Sequence, residues 1–271
     1  MNRKPRFGIC ALLLALTLLT THCASSRKPG QLAFVSIEEE MALGREISVQ
    51  SGQVLQTLRN QEVGRYLNGL AAEIGLQSHW SGLTYTVHVI NAPDLNHFSL
   101  PGGQIFLYRG LIETLGNSDQ VAAVIAHEIA HVAARDGVER LAAKYGWAVA
   151  AQSVIGQNPE IARQLLMTLY TKDTILDYPK PVEREADRKC ATYLEKANFD
   201  PNGLLEMLRV LRQAESGHAA LVRLLRKTHA SASSRYRHVS NEVKLLASPA
   251  VNAHPQADFL QIKAILAKIP Y

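Results

Sequence analysis

Cysteine is scarce in this chain, with three in 271 residues, and aromatic residues make up only 6%. So few cysteines exclude a disulfide-dense scaffold. Hydrophobic residues reach 47% and charged ones 20%, which excludes a disordered chain and a collagen-like repeat. No internal repeat of solenoid length is present. No apolar run approaches the roughly 20 residues that a membrane-spanning helix needs. The length suits one compact domain, alone or with short extensions.

The formal charge of +5 and the pI near 9.1 point toward nucleic acid until the N-terminus is considered. Arg3, Lys4 and Arg6 form a positive head, Ile9–Leu19 is an apolar run of 11 residues, and Thr20–Ser26 is small and polar. This is the order of a secretory signal peptide, assigned to residues 1–26. Cys23 stands where a bacterial lipoprotein carries its acylated cysteine. Thr20 and His22 depart from the usual flanks, so lipidation at Cys23 and an ordinary cleaved signal both stay open. Removing residues 1–22 takes three of the 29 basic residues and leaves 26 against 24 acidic ones, a balance of +2. No Lys/Arg run with interleaved aromatics remains, so no nucleic-acid partner is expected. Cys190 is left without a partner, so no structural disulfide is expected either.

Residues 27–35 read as a linker, 36–247 as the folded domain and 248–271 as a weakly patterned tail. Ser36 with Glu39 is a capping-box pattern that opens a helix. A second helix is expected over Glu62–Leu76, with Val63, Tyr66, Leu67, Leu70 and Ile74 on one face. Leu83–Ile90 and Gln104–Tyr108 read as strands, joined by a loop over Asn91–Gly103. Asn117 caps a helix that is apolar nearly all round and ends at Gly137, the pattern of a buried helix. Residues 138–180 are mixed and helical, broken at Gly156–Pro159. Further helices are expected over 182–197, 204–213 and 219–227. The fold class is α+β, predominantly α, with a small sheet beside the buried helix.

Inside that helix stands Ala126-His127-Glu128-Ile129-Ala130-His131. Histidines at i and i+4 project from one helix face and can bind one Zn²⁺ at about 2.0–2.1 Å. Glu128 lies beside that face, where it can hold a water and take its proton. Burying these three polar groups in an apolar helix is costly without partners, and a metal removes that cost. Gly137 and Ala134 exclude the extended metzincin motif. The third ligand is then a later glutamate, from Glu139, Glu160, Glu183, Glu185 and Glu195. Only Glu183 has an aspartate four residues on, Asp187, able to fix the tautomer of a ligand histidine. The alternative for this pair is a solvated face with Arg184 and Arg188.

His127-Glu128-Ile129-Ala130-His131 together with Glu183-Arg184-Glu185-Ala186-Asp187 resembles the zinc metallopeptidases of the CAAX-prenyl-endopeptidase-like family. The closer resemblance is to their exported bacterial branch of periplasmic proteases and lipoproteins. Glu38–Gly44, Asn96–Gly103 and Thr228-His229 followed by Arg235 match further family segments. Ala230 stands where a proline is usual. The resemblance covers about residues 36–240 and implies a zincin-like peptidase with one Zn²⁺ per chain. It also implies that Gly103, Gln104, Ile105 and Phe106 belong to an edge strand that receives an extended peptide. It gives His229 a role in stabilising the oxyanion or in occupying the open zinc position at rest. Arg235 would steady the same site. His79, His88, His97, His218, His238 and His254 lack ligand spacing and read as structural or exposed. Residues 138–180 are long enough to form a lid.

The expected function is a zinc endopeptidase acting on misfolded or misassembled cell-envelope polypeptides. The alternative is a chaperone-like or adaptor protein with a structural or self-inhibited zinc site. Expected partners are polypeptide substrates and outer-membrane assembly machinery. The expected location is the periplasm, with membrane contact only through a lipidated Cys23.

Overall fold

The computed structural model describes residues 36–145, 178–217, 225, 229–246 and 255–271. The signal segment with Cys23, the linker, most of the proposed lid and most of the expected helix over 219–227 lie outside them.

The first helix, α1 (Ile37–Val54), begins directly after Ser36. The second, α2 (Gln61–Gly75), is capped by Asn60, whose side chain accepts from the N–H groups of Glu62 and Val63 at 3.0 and 3.1 Å. Two otherwise unpaired helix-end donors are satisfied in this way. Val63, Leu67, Leu70 and Ile74 form its buried face, at the helical spacing expected. Leu67 and Ile74 are fully buried, each worth about 1.5–3 kcal/mol of transfer energy.

Three strands follow: β1 (Thr86–Ile90), β2 (His97–Leu100) and β3 (Gln104–Tyr108). They order as β1-β3-β2, with β1 parallel and β2 antiparallel to β3. Two expectations are corrected here. The loop over Asn91–Gly103 contains a strand, β2, whose His-Phe-Ser-Leu alternation lasts only four residues, all of them buried. Gln104–Tyr108 is a strand, but it is central rather than an edge, because β2 takes its second side. The turn Pro101–Gly103 makes that hairpin by placing Gly102 and Gly103 at φ 75° and 90°, a region open to glycine. A Cβ on Gly102 would stand 2.6 Å from the Glu40 carbonyl, and one on Gly44 would stand 2.0 Å from the Pro101 carbonyl. Glycine on both sides therefore lets α1 lie directly on the hairpin turn.

A short helix, α3 (Arg109–Thr114), leads to α4 (Ser118–Ala133), capped by Asn117. Every residue from Ser118 to Val132 is buried. The helix stops earlier than the glycine at 137 suggested. Arg135 takes a left-handed φ of 58° and its Nε donates to the buried Glu40 at 2.6 Å. Gly137 lies instead inside α5 (Asp136–Tyr145). A tertiary ion pair, rather than a glycine, marks this break.

Pro181 stands in the first turn of α6 (Lys180–Lys196), where its missing N–H costs nothing. Then come α7 (Asn202–Gly217), α8 (Ala232–Val243) and α9 (Gln256–Leu266). Helix α4 packs against α6, α7, α2 and β2. The tail is also corrected. Helix α9 buries Phe259, Ile262 and Leu266 in the common core, and the Phe259 ring stacks on Tyr66 at 6.4 Å. Gln256 accepts from the Ser118 N–H at 3.1 Å and donates to the Gly116 carbonyl at 2.9 Å, at the start of α4. Buried Arg109 donates to the Ile269 carbonyl at 2.7 Å.

The architecture is α+β and mostly helical, with a three-stranded sheet beside α4. Among the described residues, no helix is long and apolar enough to cross a membrane.

Candidate metal centre

One helical turn separates His127 and His131 on α4, and their Nε2 atoms face each other at 3.1 Å. Two unprotonated nitrogens repel at that distance, so a cation or a proton must lie between them. Helix α6 adds Glu183. Its Oε1 is 3.5 Å from His131 Nε2, and its Oε2 is 3.9 Å from His127 Nε2. His229 brings Nδ1 to 2.9 Å from Glu183 Oε1. These four buried residues offer ligand atoms within 4.8 Å of one another. Tetrahedral zinc with bonds of about 2.0–2.1 Å spaces its ligands about 3.3 Å apart, and the distances here bracket that value. Glu183 Oε2 is buried without a hydrogen-bond partner. The donor set therefore fits a zinc ion.

The outer groups fix the tautomers. His127 Nδ1 lies 3.1 Å from Asp187 Oδ1, and His131 Nδ1 lies 2.9 Å from Asp136 Oδ2. Each Nδ1–H donates to its carboxylate, which directs the Nε2 lone pairs inward. Arg235 clamps Asp187 through Nη2 at 2.6 Å and Nε at 3.0 Å. Burial lowers the His127 pKa to about 3, with the Arg235 charge adding to the effect. Burial also opposes charge on His131, but Asp136 and Glu183 outweigh it and raise that pKa to about 10. Without a cation the cluster thus keeps a proton on His131, and metal binding would release it. Burial would raise the Glu183 carboxyl, yet His229 and Arg235 hold it well below the usual range.

Glu128 points to the sheet side of this cluster. Its Oε1 is 2.5 Å from His97 Nδ1 and 3.6 Å from His229 Nε2, while its Oε2 is buried without a partner. Burial opposes its ionisation, but the bond from His97 prevails and holds the carboxyl far below its ordinary value. His229 Nε2 donates to the His97 carbonyl at 3.2 Å.

The structure thus brings together all the residues singled out on α4, α6 and the His229–Arg235 segment. It also brings in three that sequence reasoning missed. His97 read as structural or exposed, yet it is fully buried against Glu128. Asp136 was hidden by the assumption that α4 ran past it. Tyr178 stacks on His131 with ring centroids 4.2 Å apart. No spacing rule could find them, because each arrives from another element. The only local signal was the polar–apolar alternation of His97, Phe98, Ser99 and Leu100, the period of a short strand.

Gly103, Gln104, Ile105 and Phe106 are buried in or beside β3, whose two sides are already paired. An added peptide strand cannot pair there. The side of the sheet next to Glu128 is β2. The Asn96 carbonyl accepts from Tyr108 N–H at 3.0 Å. The alternation of an antiparallel pair then turns the backbone groups of His97 and Ser99 away from β3.

Residues 57–243, more than half of the chain, match peptidase family M48. The chain is 31% identical over 178 residues to the mitochondrial metalloendopeptidase OMA1 of Schizosaccharomyces pombe, covering 65% of this chain and 51% of that protein. It is 28% identical over 188 residues to the beta-barrel assembly-enhancing protease of Escherichia coli, covering 65% and 38%. With the metalloprotease LoiP of the same species it shares 26% over 250 residues, covering 87% and 97%. The chain thus spans about half or less of several of these curated relatives, and nearly all of LoiP.

Proposed function

The chain belongs to peptidase family M48, and from that premise we propose that it is a zinc-dependent endopeptidase of the bacterial cell envelope. The carrying observation is the buried convergence of His127, His131 and Glu183 around one point, with Glu128 directed beside it.

In this reading His127, His131 and Glu183 hold one zinc ion. The ion supplies Lewis acidity, polarising a peptide carbonyl and making water more acidic. Glu128 accepts the proton of the attacking water at Oε2, because Oε1 is engaged by His97. The same carboxyl then passes that proton to the leaving amine. Asp187 and Asp136 keep the two ligand histidines in register, and Arg235 holds Asp187. His229 serves the oxyanion once a substrate is bound. Before substrate binds, His229 would be held beside the zinc-binding residues, its Nδ1 2.9 Å from Glu183 Oε1. An extended peptide runs along the outer side of β2, where the His97 N–H and the backbone of Ser99 face away from β3 toward a β-augmenting strand, the His97 carbonyl being held by His229.

The finer assignment is to the exported branch that resembles the CAAX-prenyl-endopeptidase-like enzymes. Misfolded or misassembled envelope proteins are the proposed substrates, and outer-membrane assembly machinery is the proposed partner. The name of the beta-barrel assembly-enhancing relative supports this reading. The protein is placed in the periplasm, with an anchor through Cys23.

Purified protein should carry about one zinc per chain and cleave casein. Removal of the metal with 1,10-phenanthroline should abolish cleavage, and zinc should restore it. Zinc-loaded protein that binds casein without cutting it would favour the adaptor reading instead.

A further inference from the structure

His229 faces acceptors on both sides of its ring. Nδ1 lies 2.9 Å from Glu183 Oε1. Nε2 lies 3.2 Å from the His97 carbonyl and 3.6 Å from Glu128 Oε1. The ring therefore belongs to two clusters, through a different nitrogen in each. The second cluster, His97, Glu128 and His229, is wholly buried and offers three ligand atoms within 4.8 Å of one another.

Its donor set is that of a zinc site: two imidazoles and one carboxylate. One of its carboxylate oxygens, Glu128 Oε2, is buried with no hydrogen-bond partner. An orphaned buried polar atom carries a desolvation penalty that a bound ion would remove. The His97–Glu128 contact of 2.5 Å is shorter than the ligand spacing of about 3.3 Å around tetrahedral zinc. A small opening of this pair would exchange the proton it holds for a metal ion. His97 is supplied by β2, so its backbone is fixed by pairing with β3.

We infer that His97, Glu128 and His229 form a second zinc site whose occupation switches the peptidase off. The inference rests on the zinc-peptidase reading above, because it regulates the same Glu128. An ion bound to Glu128 takes up the carboxylate lone pairs that would receive the proton of water. Binding releases the proton shared by His97 and Glu128, and the Nε2 proton of His229 if the ring spans both ions. The protein would thus work at limiting zinc and stop when free zinc rises.

The test starts from protein already holding its first zinc, titrated with zinc chloride in a metal buffer. Bound metal is counted by mass spectrometry while casein cleavage is followed. The expected result is a rise from about one to about two zinc per chain, with inhibition tracking the second. His97→Ala should keep the first zinc. Its second binding midpoint and its inhibition midpoint should both move to higher free zinc by at least about tenfold, since even outer-sphere changes cost 10–100-fold in affinity. Where His97→Ala does not retain the first zinc, His97→Gln, which keeps a donor toward Glu128, should show the same shift. Stoichiometry that stays near one during inhibition would overturn the inference, and so would unchanged midpoints in the variant. Protein that holds no zinc at any concentration would instead contradict the zinc-peptidase reading itself.

Discussion

Arg235 shows how much of the site depends on one buried charge. It is fully buried and grips Asp187 in a two-bond fork. Burial alone would raise the Asp187 carboxyl, but the Arg235 charge holds it below its usual value. A carboxylate with a depressed folded pKa adds stability above its unfolded value of about 3.9, and that stability is lost as pH falls through the lower folded value. Arg235→Gln leaves the carboxylate buried and uncompensated, a loss of about 3–5 kcal/mol. Urea denaturation of metal-free protein should show this loss at neutral pH. The gap from wild type should shrink below about pH 4, because Asp187 of the variant takes up its proton first. At this scale the sequence was informative wherever chemistry follows helical spacing. His127, His131, Glu183 and Asp187 stand at fixed offsets on two helices, so their grouping could be read directly. His97 and Asp136 join through a strand pairing and a left-handed residue, which have no such period.

Among the elements, the long helices and strand β3 were legible, whereas β2 and α9 were not. Helix α2 has a clear apolar face and a capping asparagine, and its bounds fall within one residue of expectation. Strand β2 is four residues of uniform burial after an asparagine-rich turn, and it displaced β3 from the edge of the sheet. That one strand moves the proposed peptide track from Gln104–Phe106 to the outer side of His97 and Ser99. Helix α9 was missed because it is short and follows a poorly patterned segment, although three of its apolar residues complete the core. Phe259 is fully buried between α9 and α2. Phe259→Ala should therefore cost about 3–5 kcal/mol, read as a fall in unfolding free energy. A loss below about 1 kcal/mol would show that α9 is not part of the cooperative core.

For the molecule as a whole, the family assignment rests on residues 57–243, so the segment before α1 must be judged by its own chemistry. The proposed export and anchoring predict a mature N-terminus at Cys23 carrying a diacylglycerol group. Intact-mass analysis of the membrane fraction checks this, and an unmodified start further along the chain would contradict the anchor. The low cysteine count fits a domain tied together without disulfides, since Cys190 is a free buried thiol that donates to the Ala123 carbonyl. What joins α4 to α6 instead includes the set of His127, His131, Glu183 and Asp187, held by carboxylate–imidazole contacts. The account stands most directly on casein cleavage by Glu128→Gln, measured on protein shown to hold one zinc per chain. The account predicts full metal content with cleavage reduced by at least about a hundredfold, the scale of a lost general base. Cleavage at the wild-type rate with the same zinc content would contradict it.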